Sequence, residues 1–314
     1  KLNRGDLVAA MEREIRGAAT TQAAMGAESI QQLLATGQIG RAIGAYRELL
    51  KRDDVPPEAW IDFSKLLLVR DSRIPKEQRD FTEFQGAIDK AAELNPDRPE
   101  IPVLRANMLL VQGQPAEARD LLHQAVTKSP GQWALWEQLL LLAHNEKEWT
   151  QAAELLDEAE KHIEAKASVY MARARLAVAR DAEKASAEIK QIATKGDGMV
   201  DSERVFFLNQ LGGYALQARD FNLAKELYRK AADSDRSNLE IRLKLFETAR
   251  LAKDTEAMKQ CLGEIRGIEG EGPHWHYFSA ALLSGSESDT ESLEQAIDHL
   301  AKARLMRPEW AEVP

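Results

Sequence analysis

Along Pro115–Val126, "PAEARDLLHQAV", apolar side chains fall at three- and four-residue steps (Ala118, Leu121, Leu122, Ala125), with Glu117, Arg119, Asp120 and His123 between them. That period predicts an amphipathic helix with one buried stripe. Comparable stretches follow one another along the chain, and none sustains the two-residue alternation of a strand. "NPDRP" from Asn95 and "SPGQ" from Ser129 place prolines where a helix cannot continue. Short polar joints around Gly113, Lys147 and Arg219 fall where two helices would turn back on each other. The pattern therefore predicts an all-α chain of helix–turn–helix hairpins. One hairpin cannot bury its own apolar face, so each must stack on its neighbours.

The hairpins repeat. Pro96 and Pro130 are separated by the same interval as Ala118 and Ala152, Leu122 and Leu156, and Ala125 and Ala159; Pro102, Trp136 and Tyr170 continue the series. "LGGYALQARDFNLAKELYRKAA", Leu211–Ala232, adds Leu208, Leu211 and Gly212 in a first helix and Ala224, Tyr228 and Ala231 in a second. Small residues so spaced among large ones belong where two helices cross closely. This resembles the tetratricopeptide repeat, in which a large residue and a Leu-Gly pair mark the first helix, Ala-x3-aromatic-x2-Ala the second, and Pro the close. Further copies centre on Gly37, Ala42 and Tyr46; on Phe84, Ile88 and Ala91; on Leu245, Ala257, Cys261 and Ile265; and on Ala296, Leu300 and Ala303 before Pro308. The copy over Tyr170–Ile192 is degenerate. The resemblance implies a right-handed α-solenoid of about eight stacked hairpins.

Residues 1–25 read as a leading helical segment and 26–314 as the repeat array, with 194–203 the loosest joint and the place for a bend. "GDLVAAMEREIRGAA", Gly5–Ala19, reads as a helix completing an earlier unit, and the residues after Met306 as the start of another. Arg70–Phe81 and Ser284–Ser292 lengthen the turns of two hairpins and read as surface insertions.

Charge narrows the partners. The net charge of -9 opposes a nucleic-acid backbone as the main partner, because phosphate binding needs clustered Lys and Arg. No apolar run approaches a membrane span; "LLLLA" at Leu139–Ala143 is as long as any. A single cysteine, Cys261, excludes an internal disulfide framework. The compartment, cytoplasmic or periplasmic, stays open.

Candidates for chemistry are weak. His274 and His276 in "PHWHYF" lie two apart, so on a helix they point away from each other and cannot share a metal. Cys261 sits where the second helix needs a small apolar residue, and no basic partner is evident to activate it. "RGD" at Arg4–Asp6 is a three-residue coincidence beside a helix. Asp53–Asp54 and Asp157–Glu158 are solvated acids, and "QLGGYA" lacks the Lys-Ser/Thr of a phosphate loop. No catalytic residue, cofactor or metal is expected.

The resemblance implies that first helices line a concave groove. Its inward positions here are Asn107, then Glu137, Gln138, His144 and Asn145, then Arg175, then Asn209, Gln210 and Gln217, and finally Lys244, Glu247 and Arg250. This polar line suits a peptide laid along the groove. The two-carboxylate clamp of chaperone-binding members does not carry over: from Asn107, its other positions fall on Val103, Gln138, Ser168 and Ala172. The expected function is a non-enzymatic scaffold for a protein or peptide partner. The alternatives are the regulatory or substrate-presenting part of a larger enzyme or export assembly, and a self-associating spacer.

Overall fold

A computed structural model describes residues 27–52, 55–285 and 289–310. Among them the chain forms sixteen α-helices and no strand. They run α1 (Ala27–Ala35), α2 (Ile39–Leu49), α3 (Pro57–Arg73), α4 (Thr82–Leu94), α5 (Glu100–Gln112), α6 (Pro115–Lys128), α7 (Trp133–Asn145) and α8 (Trp149–His162). Then follow α9 (Lys166–Arg180), α10 (Ala185–Ala193), α11 (Asp201–Gln217), α12 (Phe221–Ser234), α13 (Leu239–Leu251), α14 (Thr255–Glu269), α15 (Pro273–Leu283) and α16 (Thr290–Met306). Consecutive helices pair as eight hairpins. They fall into two compact units, one ending at Glu164 and one starting at Ala165, each with four hairpins. None of the described helices is long and apolar enough to cross a membrane.

Turns are made by one residue in the left-handed region. Gly37, Gly113, Lys147, Arg219 and Lys253 all have positive φ, between 57° and 87°. Each follows the first helix of its hairpin and reverses the chain within a few residues. At Lys147, Arg219 and Lys253 a side chain bears the steric cost that glycine avoids.

The small residues sit where the repeat demands. In the first unit Ala118 and Ala152 are buried, as are Leu122, Leu139 and Leu156. In the second, Phe207, Phe246, Tyr228 and Phe278 fill the core, and Ala224 and Gly212 meet them. A Cβ at Gly212 would lie 2.6 Å from Cε1 of Tyr228, so the ring packs directly on the helix backbone. Second-unit helices are also capped locally: Asp220, Asn238, Asp254 and Asp289 each accept the backbone N–H three residues on.

The degenerate copy is real but short in its second helix. α10 spans Ala185–Ala193 and continues as a 3-10 helix, Thr194–Gly198, whose Gly196 abuts the ring of Phe207. The insertion at Arg70–Phe81 is anchored rather than loose. Its Arg79 guanidinium donates to the carbonyls of Ile74 and Val111, and Phe81 is buried. The helix expected over Gly5–Ala19, Arg4–Asp6, Asp53–Asp54 and part of Ser284–Ser292 lie outside the described residues.

Candidate functional site

In the first unit, first helices pack on one another, α3 on α5 and α5 on α7. Between them Asn107 is buried at 5% exposure, and its Oδ1 has no hydrogen-bond partner among the described residues. α7 shows solvent one stripe at helical spacing: Ala134, Glu137 with Gln138, Leu141, then His144 with Asn145. Glu137 and Gln138 are half-buried, while His144 and Asn145 are exposed at the turn, with the His144 imidazole edge-on to Trp149. Asn107 thus sits deeper than its neighbours in the expected line.

The second unit offers the more complete surface. On α11, Phe206, Asn209, Gln210, Gly213 and Gln217 share one outward face, and on α13 Glu240, Leu243, Lys244, Glu247 and Arg250 share another. Lys244 Nζ donates to Asn209 Oδ1 at 3.0 Å and to Glu240 Oε1 at 2.6 Å, so the two faces lie side by side. Arg250 Nε donates to Glu247 Oε2 at 2.8 Å. Cations and carboxylates here balance, leaving the amides of Gln210 and Gln217 toward solvent. Arg175 is exposed on α9, which packs on α11.

Sequence reasoning missed Phe206. It is 52% exposed at the N-terminal end of the α11 stripe, whereas Phe207 beside it is fully buried. Adjacent large aromatics on a helix point about 100° apart, so the doublet itself signalled that one ring must leave the core. Aromatic side chains, Phe included, are enriched in protein–protein interfaces over the rest of the surface.

The chemistry candidates resolve into packing. His274 Nδ1 meets Glu269 Oε2 at 2.9 Å, while His276 Nδ1 meets Nδ1 of His299, from α16, at 2.8 Å. The two histidines of "PHWHYF" therefore serve different partners. No group of three or more His, Cys, Asp or Glu able to hold a metal occurs among the described residues. Cys261 is buried, and contrary to the sequence expectation a basic group is present: Arg229 Nη2 lies 3.9 Å from its sulfur. Burial dominates, and the thiol is pushed up to about 11, well above the range of a reactive thiolate.

The sequence profile of the tetratricopeptide repeat matches residues 77–132 and 103–168. No curated protein matches in sequence. Solved structures that the chain matches include YrrB, described as a TPR protein with an unusual peptide-binding site, at 15% identity over 60% of this chain and 93% of that one (TM-score 0.39). Pseudomonas aeruginosa PilF shares 15% identity over 82% of this chain and 94% of its own (TM-score 0.36). The Cut9 and Hcn1 hetero-tetramer of the APC/C shares 14% over 91% and 53% (TM-score 0.37). The profile match identifies residues 77–168 as tetratricopeptide repeats, and the same helix–turn–helix hairpin recurs through both units.

Proposed function

We propose that this chain is an interaction scaffold that captures an extended or helical protein segment on the outward faces of its first helices. Tetratricopeptide repeats are typically non-catalytic and mediate protein–protein interaction, which supports the reading. The observation that carries the reading is the α11–α13 surface. Phe206 supplies an apolar anchor, Gln210 and Gln217 supply amides for a peptide backbone, and the Lys244–Asn209 bond holds the two helices in register. Affinity comes from desolvating the aromatic ring, and orientation from the polar groups around it. A photo-crosslinking amino acid at Gln210 tests this. Partner adducts at Gln210 that disappear with Phe206→Asp support the reading. Adducts equally strong with Phe206→Asp contradict it.

A second reading rests on α16. Leu293, Ile297, Leu305 and Met306 are exposed there at 45%, 66%, 81% and 50%. Leu293 and Ile297 lie one turn apart, and exposed apolar side chains so placed favour self-association. Light scattering across a concentration series, with Ile297→Asp and Leu305→Asp together as the control, distinguishes the two. A monomer at every concentration removes the second reading.

A further inference from the structure

A cleft of about 500 Å³ opens in the first unit away from these faces, between the second helices α6 and α8. Its floor is apolar, made by Val126, Pro130, Trp136 and Leu155, and its rim is polar, with His123, Gln151, Glu154, Glu158 and His162. The Trp136 indole donates to Pro130 O at 2.7 Å, and the His162 ring lies nearly parallel to it, 11° between planes. Among the described residues Glu158 is held by exposed neighbours on its own helix, Lys161 at 2.6 Å and His162 at 3.2 Å. Glu154 has no ion pair among the described residues.

The chain carries a second copy of this place in its second unit. α6, α7 and α8 begin at Pro115, Trp133 and Trp149, and α12, α13 and α14 at Phe221, Leu239 and Thr255, each displaced by 106 residues. At that displacement His123 corresponds to Arg229, Trp136 to Arg242, Leu155 to Cys261 and Glu158 to Glu264. There the space is filled by the chain itself. Arg229 Nη1 meets Glu264 Oε1 at 2.6 Å, Arg242 Nε lies 3.3 Å from Glu264 Oε2, and Arg242 Nη2 donates to Ala232 O at 2.9 Å. In the first unit Trp136 takes the place of the deeper arginine and its bond to the carbonyl side. The shorter His123 makes no side-chain bond to Glu158 among the described residues, so the volume of the outer guanidinium is left open while its carboxylate partner is retained.

We propose that this cleft receives an arginine side chain of a partner protein, its guanidinium placed on Glu158 and Glu154 and against the aromatic wall formed by the stacked His162 and Trp136 rings. A planar guanidinium suits both surfaces: it bonds a carboxylate bidentately and stacks on an aromatic face. Displacing Lys161 and His162 from Glu158 costs little, because exposed same-helix pairs are weak. The site is independent of the first-helix reading and stands or falls separately.

The test is a titration of the full chain with an acetylated, amidated pentapeptide carrying one central arginine among glycines, followed by NMR at the Trp136 indole and the α6 and α8 amides. Companion peptides carry citrulline, which keeps the shape without the charge, or lysine. The expected result is saturable shifts confined to the cleft with arginine, about tenfold weaker binding with citrulline, and a similar loss in Glu158→Gln. His123→Arg, at an exposed position, supplies the arginine of the second copy from within and should abolish the shifts while the remaining spectrum is retained. Equal shifts from citrulline and arginine, or shifts unaffected by both Glu158→Gln and His123→Arg, overturn the proposal. Shifts spread over acidic surfaces without saturation overturn it also.

Discussion

Glycine at two helical positions of the second unit should respond to alanine with opposite signs. Gly212 lies within α11 and Gly263 within α14, and in a helix interior alanine is better than glycine by about 1 kcal/mol. At Gly263 an added Cβ meets nothing within 4 Å, so Gly263→Ala should stabilise the unit by about that amount. At Gly212 the same atom would lie 2.6 Å, 2.8 Å and 2.8 Å from three carbons of the Tyr228 ring. Carbon contacts are favourable only near roughly 3.5–4 Å, so the ring or the helix must move by about 1 Å. Tyr228 is 2% exposed and has no free space to enter. Overpacking of this kind costs about 1–3 kcal/mol, which outweighs the propensity gain. Gly212→Ala should therefore destabilise by about 1 kcal/mol, leaving the two variants about 2 kcal/mol apart. The two compact units need not unfold together, so native-state hydrogen exchange of α11–α14 is the assay. Tyr228→Leu in the Gly212→Ala background should recover part of the loss. Equal stabilisation by both alanines would refute the close helix crossing on which the repeat assignment rests.

Lys147 holds a left-handed backbone at φ 58°, and Lys147→Gly should stabilise the first unit by about 0.5–1 kcal/mol in hydrogen exchange of α7 and α8. Ala224 is fully buried in the second core, so Ala224→Leu should cost about 1–3 kcal/mol in a denaturant titration. The last hairpin should weaken in mild acid. Burial holds both His276 and His299 below the ordinary imidazole range, aided at His276 by the adjoining His299 and at both by Lys302, against the opposing charges of Asp298 and Glu271. Just below about pH 6.5 the unfolded chain therefore binds more protons than the folded one, and stability present above that value is lost as the pH falls. Amide protection in α15 and α16 should drop between pH 7.5 and 5.5 in the wild type and change less in His276→Asn. A flat profile in the wild type would dissolve the pair.

The hairpin array was legible because its signals are local. Proline after a helix, a small residue opposite a large one and a three-and-four spacing all lie within one hairpin, so Ala118, Ala152, Ala224 and Gly212 could be placed from sequence alone. The turn positions at Gly113, Lys147 and Arg219 were legible for the same reason. The illegible parts depend on partners distant in sequence. Arg229 reaches Cys261 across 32 residues and His276 reaches His299 across 23, and neither spacing belongs to a motif. The burial of Asn107 depends on how closely α5 is enclosed by α3, α6 and α7, which its own helix does not reveal. Phe206 was overlooked because an aromatic in a helical repeat is assigned to the core by default, although only one member of the doublet fits there.

The interaction-scaffold account is tested most directly by affinity capture from the source cells, comparing wild type with Phe206→Asp, Gln210→Ala and Arg250→Glu combined, the variant first shown to be folded by circular dichroism. The account predicts a protein partner retained by the wild type and lost by the variant, with the crosslink from Gln210 mapping to one short segment of that partner. A partner held equally by both proteins would contradict it.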